Sequence, residues 1–115
     1  MRKIKGFNIL LDLHNCNEKK MNDILTIKEK ILEFAESSGF KVVGEKYHLF
    51  KPHGFTGILL LASSHVSIHT WPELNFIAID IYSCKGKYAA KKLSKKLIKF
   101  FEPKSFEIKE VIRFR

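Results

Sequence analysis

The sequence predicts an α+β fold, a two-layer sandwich in which two helices cover one face of a mainly antiparallel sheet. Six segments alternate apolar and polar residues or are strongly apolar, as strands are, and two longer segments repeat apolar residues every three or four positions, as helices do. With 115 residues, of which 45% are hydrophobic and 29% charged, the chain is predicted to form one domain spanning residues 1–115.

The N-terminal half is predicted to hold three of the strands and the first helix. Residues Ile9–Leu13 form an apolar strand with one carboxylate, Asp12, which is explained either by a solvated face or by a buried acid beside a site. Asn17 can cap a helix over about Glu18–Ser38, and Gly39 is a stop signal. An extended stretch, a turn and a further strand follow, over residues 40–50, 51–55 and 56–62.

The C-terminal half adds three strands and the second helix. In the strand His65–Thr70, His65, Ser67 and His69 point one way and the other side chains point into the core. The next strand, residues 75–84, has isoleucine at alternate positions, so that Cys84 shares the opposite face with Asp80. The last two elements are a helix and an alternating strand, over residues 88–101 and 106–114.

One face of this sheet is left without helices. Several strands are apolar on both sides, and the continuous run Ile58–Leu61 predicts burial on both faces of its strand. A second copy or a large ligand pocket is therefore expected to cover the open face. A homodimer, giving a four-layer assembly, is the economical prediction.

The net charge of +9 and the pI near 9.6 raise nucleic acid and membrane surfaces as partners. The lysines of the second helix fall on its outer face, where such a run is usually only solvated, and no aromatic signature or Arg-rich arm for RNA accompanies them. Neither partner is therefore predicted. The lysines are Lys91, Lys92, Lys95, Lys96 and Lys99.

Three features of the sequence predict a cytoplasmic protein. The longest apolar run, residues 58–62, is far shorter than the roughly 20 residues of a membrane span. The basic N-terminus is followed by polar Asn8 and by Asp12, where a signal peptide would keep an unbroken apolar core. The two cysteines, Cys16 and Cys84, are expected to be free thiols.

Residues 63–73 concentrate chemically active side chains between two apolar runs. A metal is not predicted, because His65 and His69, four apart on a strand, lie about 13 Å from each other. A serine hydrolase is not predicted either, since no Gly-x-Ser-x-Gly elbow surrounds Ser63 or Ser64. A third possibility is that a serine is consumed by a reaction of the chain itself.

The motif Ser-His-x-x-Ile-His-Thr-Trp-Pro-Glu of residues 64–73, with Ala-Ile-Asp at 78–80 and Ser-Cys at 83–84, closely resembles the small prokaryotic S-adenosylmethionine decarboxylases. The acid-containing strand after Gly6 and the Phe-x-Pro-x-Gly-x-Thr-Gly turn of residues 50–57 fall in the family's order. The resemblance covers nearly the whole chain and implies a pyruvoyl-dependent decarboxylase made as a proenzyme.

The resemblance also implies roles for four residues. The chain would cut itself between Ser63 and Ser64, converting Ser64 into a pyruvoyl group and leaving residues 1–63 and 64–115 associated. His69 would move protons during this processing and Thr56 would support it. Cys84 would return a proton to the decarboxylated carbon.

The substrate implied is a small molecule of the amino-acid type, S-adenosylmethionine, whose α-amine condenses with the pyruvoyl carbonyl; no metal and no pyridoxal phosphate are needed. Phe50 and Trp71 could offer aromatic surface to it, and Glu73 or Asp12 a carboxylate. A purely structural role for these side chains stays open. The decarboxylated product would serve polyamine biosynthesis.

The chain departs from the family pattern at three positions. Ser63 stands where the family usually has glutamate, and Asn8 and Asp12 stand where it commonly has histidine and glutamate. The first-strand changes leave open a same-scaffold decarboxylase of L-ornithine or L-arginine. A further alternative is an unprocessed, non-catalytic partner subunit.

Overall fold

The computed structural model describes residues 5–114 of the chain. Over this range it contains six strands, three α-helices and one turn of 3₁₀ helix. In chain order the elements are β1 (Gly6–His14), α1 (Glu18–Asn22), α2 (Ile24–Ser37), β2 (Val42–Leu49), β3 (Phe55–Leu61), β4 (His65–Trp71), the 3₁₀ turn Pro72–Leu74, β5 (Phe76–Ser83), α3 (Lys87–Phe101) and β6 (Ser105–Arg113).

The six strands form one sheet in the order β2-β3-β4-β5-β1-β6. Every neighbouring pair is antiparallel. Consecutive hairpins build the β2 to β5 half, and β1 fits between β5 and β6. The predicted α+β fold with an antiparallel sheet is confirmed.

The predicted helix Glu18–Ser38 is two helices that meet at Asp23. Asp23 has φ −92° and ψ 78°, which is not helical, and its carboxylate accepts hydrogen bonds from the backbone N–H and the hydroxyl of Thr26. It therefore ends α1 and caps α2. Asn17 caps α1 as predicted, accepting from the N–H of Lys20 at 3.1 Å.

The core lies between the helices and one face of the sheet. Alternate residues of β1 and β5 are fully buried there, and they pack against the apolar stripes of α2 and α3. The helix residues in this layer are Met21, Ile27, Ile31, Ala35, Ala90, Leu93, Leu97 and Phe101.

The opposite face of the sheet is not covered by any helix of residues 5–114. On β3, Leu59 and Leu61 are buried, whereas Ile58 is 46% and Leu60 57% exposed. Within one chain the even-numbered residues project from the open face, so the predicted burial of Ile58–Leu61 on both faces stays a prediction that depends on a second copy or a ligand. Apolar side chains left in this position are typical of a surface that a partner covers.

Both cysteines are free thiols, as predicted, with Cys16 buried and Cys84 exposed. Over residues 5–114, none of the helices combines the length and the hydropathy that crossing a bilayer requires.

Candidate functional site

A cavity of about 400 Å³ lies on the open face of the sheet, where β4 ends at Trp71. Its size is within the range of small-molecule sites. Five residues predicted for the site line it together, namely Phe50, Thr56, His69, Trp71 and Glu73. The other lining residues are Lys51, Pro52, His53, Phe55 and Thr70.

At the floor of this cavity Thr56 and His69 face each other across β3 and β4. They are register partners, both half-buried, and Oγ1 of Thr56 lies 3.3 Å from Nδ1 of His69. The hydroxyl thereby occupies one ring nitrogen and orients the imidazole.

An aromatic stack continues from His69 along the open face. Its ring stacks on Trp71 with centroids 5.9 Å apart, and Trp71 stacks on Phe76 at 5.5 Å. Phe76 in turn stacks on His14 at 5.1 Å. The indole is thus held between two rings, and Trp71, which lines the cavity, is 38% exposed.

Glu73 stands at the rim of the cavity, in the 3₁₀ turn that follows β4. Its Oε1 lies 3.4 Å from Nε2 of His53, which belongs to the turn before β3. Sequence reasoning missed His53. Acidic residues are scattered along the sequence, so no pattern singles out Glu73 as the partner of His53. The two turns meet because β3 and β4 form a hairpin, which places the start of β3 beside the end of β4.

Ser63 and Ser64 lie at the other end of the β3–β4 hairpin. Leu61 and Ser64 are joined by two backbone hydrogen bonds, N–H of Leu61 to O of Ser64 at 2.9 Å and N–H of Ser64 to O of Leu61 at 3.4 Å. The connection is therefore a tight turn with Ala62 and Ser63 at its tip. Ser63 is exposed, whereas Ser64 is only 6% exposed.

Cys84 directly follows β5 and lies next to Ser64. Its backbone N–H donates to Oγ of Ser64 at 3.0 Å, and its own side chain is exposed. The structure thus brings together the residue predicted to become the pyruvoyl group and the residue predicted as proton donor. The antiparallel register of β4 and β5 produces this contact, since His65 pairs with Tyr82.

The predicted residues therefore form two groups within one chain. Ser63, Ser64 and Cys84 are at one end of β4, and the cavity with His69 is at the other. Ser64 and His69 are five positions apart along an extended strand, which corresponds to about 16 Å. One chain alone does not place His69 beside Ser64.

Asp12 lies outside both groups. It is half-buried on the open face of β1, with Ala78 as its register partner on β5, and Ala78 is itself paired with His69. Two strand spacings, about 10 Å, therefore separate Asp12 from His69. Asp12 lines a smaller depression of about 280 Å³ together with Leu10, Asp80, Glu107 and Lys109.

Asn8, the other departure in the first strand, accepts a hydrogen bond from Nη1 of Arg113 at 3.0 Å. This contact ties β1 to the edge strand β6. Within the part of the chain that the structure describes, no three His, Cys, Asp or Glu side chains are grouped so that they could hold a metal ion.

Comparison with protein families matches residues 8–114 to the S-adenosylmethionine decarboxylase family. The S-adenosylmethionine decarboxylase proenzyme of Persephonella marina is 37% identical over 109 residues, which are 95% of this chain and 82% of that protein. The proenzyme of the same name from Clostridium botulinum (strain Langeland) is 35% identical over 111 residues, 96% of either chain.

Solved structures give the same result. The crystal structure of the adenosylmethionine decarboxylase of Aquifex aeolicus superimposes with a TM-score of 0.92 at 32% identity, covering 99% of this chain and 94% of the other. The Trypanosoma brucei AdoMetDC monomer, 14% identical with a TM-score of 0.68, shares the fold over 44% of its length. The sequence motif, the fold and these relatives together show that the chain belongs to the S-adenosylmethionine decarboxylase family.

Proposed function

We propose that the chain is a proenzyme that cuts itself between Ser63 and Ser64 and then decarboxylates S-adenosylmethionine. The observation that carries this proposal is the hydrogen bond from the N–H of Cys84 to Oγ of Ser64. It joins the predicted cofactor precursor to the predicted proton donor at an otherwise ordinary hairpin turn. The names of the relatives support both the proenzyme and the substrate.

The surroundings of Ser64 fit a residue that becomes a pyruvoyl group. The bond to be cut lies at the exposed tip of a hairpin, and the hydroxyl is shielded from solvent and held by a donor. The pyruvoyl group, once formed, supplies a carbonyl that acts as an electron sink for decarboxylation. Cys84 is exposed beside it and is placed to deliver one proton to the product.

The substrate is proposed to bind in the cavity beside Trp71. Phe50 and Trp71 present aromatic surface suited to an adenine ring or a sulfonium, and Glu73 offers a carboxylate at the rim. Asp12 lies on the same face of the sheet and adds negative charge towards a cationic substrate. The cavity is at the far end of β4 from Ser64, so the site needs a second chain.

A homodimer completes the site if two open sheet faces pack about a two-fold axis. An antiparallel arrangement of the two β4 strands sets the Ser64 end of one protomer against the His69 end of its partner. The same packing covers the exposed apolar side chains of this face and gives four layers. Those side chains include Leu10, Ile58, Leu60 and Trp71.

Intact mass after expression tests the self-cleavage. A processing chain gives two fragments, the second with a blocked pyruvoyl terminus, in place of one chain of 13.4 kDa. Ser64→Ala stays whole. If Ser64→Ala is still cut, the attacking hydroxyl is that of Ser63. A wild-type chain that remains whole contradicts the proposal that the chain is a proenzyme.

Release of carbon dioxide tests the substrate. We expect turnover of S-adenosylmethionine and none of L-ornithine or L-arginine. Turnover of L-ornithine or L-arginine without turnover of S-adenosylmethionine favours the alternative, an amino-acid decarboxylase built on the same scaffold. Failure with all three substrates by a chain that has been cut contradicts both enzymatic proposals.

Mixed dimers test the shared site. A His69→Ala chain expressed alone should stay whole, because no His69 faces its Ser64. Expressed together with Ser64→Ala, it should be cut, since the partner's His69 is intact. If the site were complete within one chain, the His69→Ala chain would stay whole in both cases.

A further inference from the structure

The short turn after β5, residues 83–86, is closed by a buried hydroxyl. Ser83 is 0% exposed, and its Oγ donates to the carbonyl oxygen of Gly86 at 2.8 Å and accepts from the N–H of Lys85 at 3.1 Å. Both groups that the hydroxyl contacts lie beyond Cys84. The hydroxyl of Ser83 therefore sets the path of the backbone through Cys84.

The backbone and the side chain of Cys84 serve different purposes in this turn. The N–H donates to Oγ of Ser64, whereas the thiol points to solvent. The contact to Ser64 does not depend on the thiol. Any residue with a backbone N–H in the same position would make it.

Two further hydrogen bonds hold the turn and the hairpin to one common segment, residues 39–41. Nζ of Lys85 donates to the carbonyl oxygen of Gly39 at 2.6 Å. The N–H of Ala62, beside the bond to be cut, donates to the carbonyl oxygen of Lys41 at 2.9 Å. The position of the Cys84 N–H relative to Ser64 is therefore fixed from both sides.

We propose that the backbone N–H of Cys84 is a hydrogen-bond donor in self-processing, and that Ser83 is the positioning residue that aims it at Ser64. This inference rests on the proposed cleavage at Ser64. It gives the 83–86 turn a role in forming the pyruvoyl group, in addition to the role of Cys84 in turnover.

The chemistry explains what such a donor does. Oγ of Ser64 gives up its proton and attacks the carbonyl carbon of Ser63, the C–N bond breaks as the nitrogen of Ser64 takes up a proton, and an ester forms. Removal of the Cα proton of Ser64 then breaks the Cβ–Oγ bond, and the oxygen leaves within the new carboxylate of Ser63. The remaining dehydroalanine tautomerises and is hydrolysed by water with loss of ammonia.

Negative charge develops on the same oxygen that the N–H of Cys84 contacts. The hydrogen bond therefore strengthens as the Cβ–Oγ bond breaks. Removing one such donor typically lowers the rate about 10²–10³-fold, and a donor that is only misaligned lowers the rate less. We expect Ser83→Ala to slow cleavage on the order of tenfold or more.

The experiment follows the conversion of freshly synthesised full-length chain into its two fragments by intact mass. Ser94→Ala is the matched control, because Ser94 is also buried and its Oγ donates to a backbone carbonyl, that of Lys91, within α3. It should be cut at the wild-type rate. Ser83→Thr keeps the hydroxyl and should restore most of the rate.

Ser83→Ala that is folded and is cut as fast as the wild type overturns this inference alone. A wild-type chain that is never cut overturns the proposed function and the inference together. A second measurement does not depend on Ser83. In Ser64→Ala the amide of Cys84 loses its acceptor, so its hydrogen exchange should accelerate, and unchanged exchange overturns the proposed contact.

Discussion

Oγ1 of Thr56 lies 3.3 Å from Nδ1 of His69, and the two residues are register partners on β3 and β4. The contact fixes one edge of the imidazole, and stacking on Trp71 fixes its plane. A histidine held in this way keeps a single orientation and one defined free nitrogen. The pair therefore presents an imidazole of fixed orientation to the cavity.

Replacing Thr56 by valine removes the hydroxyl and keeps the shape of the side chain. If His69 moves protons during processing, its ring is then free to turn, and cleavage should slow on the order of tenfold, part of the 10²–10⁴ that a positioned acid or base contributes. Thr56→Ser keeps the hydroxyl and should be cut at close to the wild-type rate. Equal rates for the valine and serine variants would exclude a role for the contact.

A second prediction concerns Phe76, which holds Trp71 from the side opposite His69. Phe76→Leu removes a stacked pair worth about 0.5–1.5 kcal/mol, so the KM for S-adenosylmethionine should rise about 2- to 10-fold with little change in kcat. Phe34→Leu is the control, because Phe34 contacts Phe100 in the helix layer. Phe76→Tyr should restore the KM. A rise in KM of equal size in Phe34→Leu would assign the effect to general loosening of the fold.

The faces of the strands could be predicted because they follow from alternation alone. His65, Ser67 and His69 were expected on one face of β4, and Val66 and Ile68 on the other, and the burial pattern agrees. The break at Asp23 was missed because the apolar stripe continues on both sides of it. A stripe reports which side chains face the core and does not report whether the backbone between them stays helical.

The division of the site into two groups could not be read from the sequence. Ser64 and His69 are close along the chain, but an extended strand carries them apart by about 3.3 Å per residue. Ser64 and Cys84 are twenty positions apart and meet because of the strand register. The contact of His53 with Glu73 and the turn built by Ser83 depend on the same long-range geometry.

A third prediction tests the packing of β2 on β3. A Cβ built on Gly57 would lie 2.7 Å from Cδ1 of Tyr47, its register partner, and 3.2 Å from Cγ2 of Ile68. The Tyr47 ring has no simple way to withdraw, since it packs against Phe55 and under Nζ of Lys28. Gly57→Ala should therefore lower the free energy of unfolding by about 1–3 kcal/mol.

Denaturant unfolding at one pH measures this change. Gly44→Ala is the control, because a Cβ on Gly44 meets only Cβ of Leu60, at 3.9 Å. It should leave the midpoint nearly unchanged. A Gly57→Ala chain as stable as the Gly44→Ala chain would show that the close approach of Tyr47 is relieved at no cost.

A fourth prediction follows from Cys16. Burial raises the pKa of this thiol from 9.0 to about 11, because the thiolate is disfavoured away from water. In the unfolded chain the thiol loses its proton near pH 9, and the folded chain keeps it. The stability that the neutral buried thiol contributes is therefore complete below about pH 9 and is lost as the pH rises from 9 to 11.

The measurement is the free energy of unfolding in urea with a reducing agent present, at several pH values on both sides of 9, for the wild type and for Cys16→Ala. All other ionisable groups are present in both chains, so their contributions cancel in the difference. Cys16→Ala should be less stable at neutral pH, because it leaves a cavity. The difference in the free energy of unfolding between the wild type and Cys16→Ala should then decrease with rising pH. The decrease should be at most about 2–3 kcal/mol, since one pKa unit corresponds to about 1.4 kcal/mol. A gap that stays constant through this range would mean that Cys16 ionises equally easily in the folded and unfolded chain, contrary to its burial between the helices and the sheet.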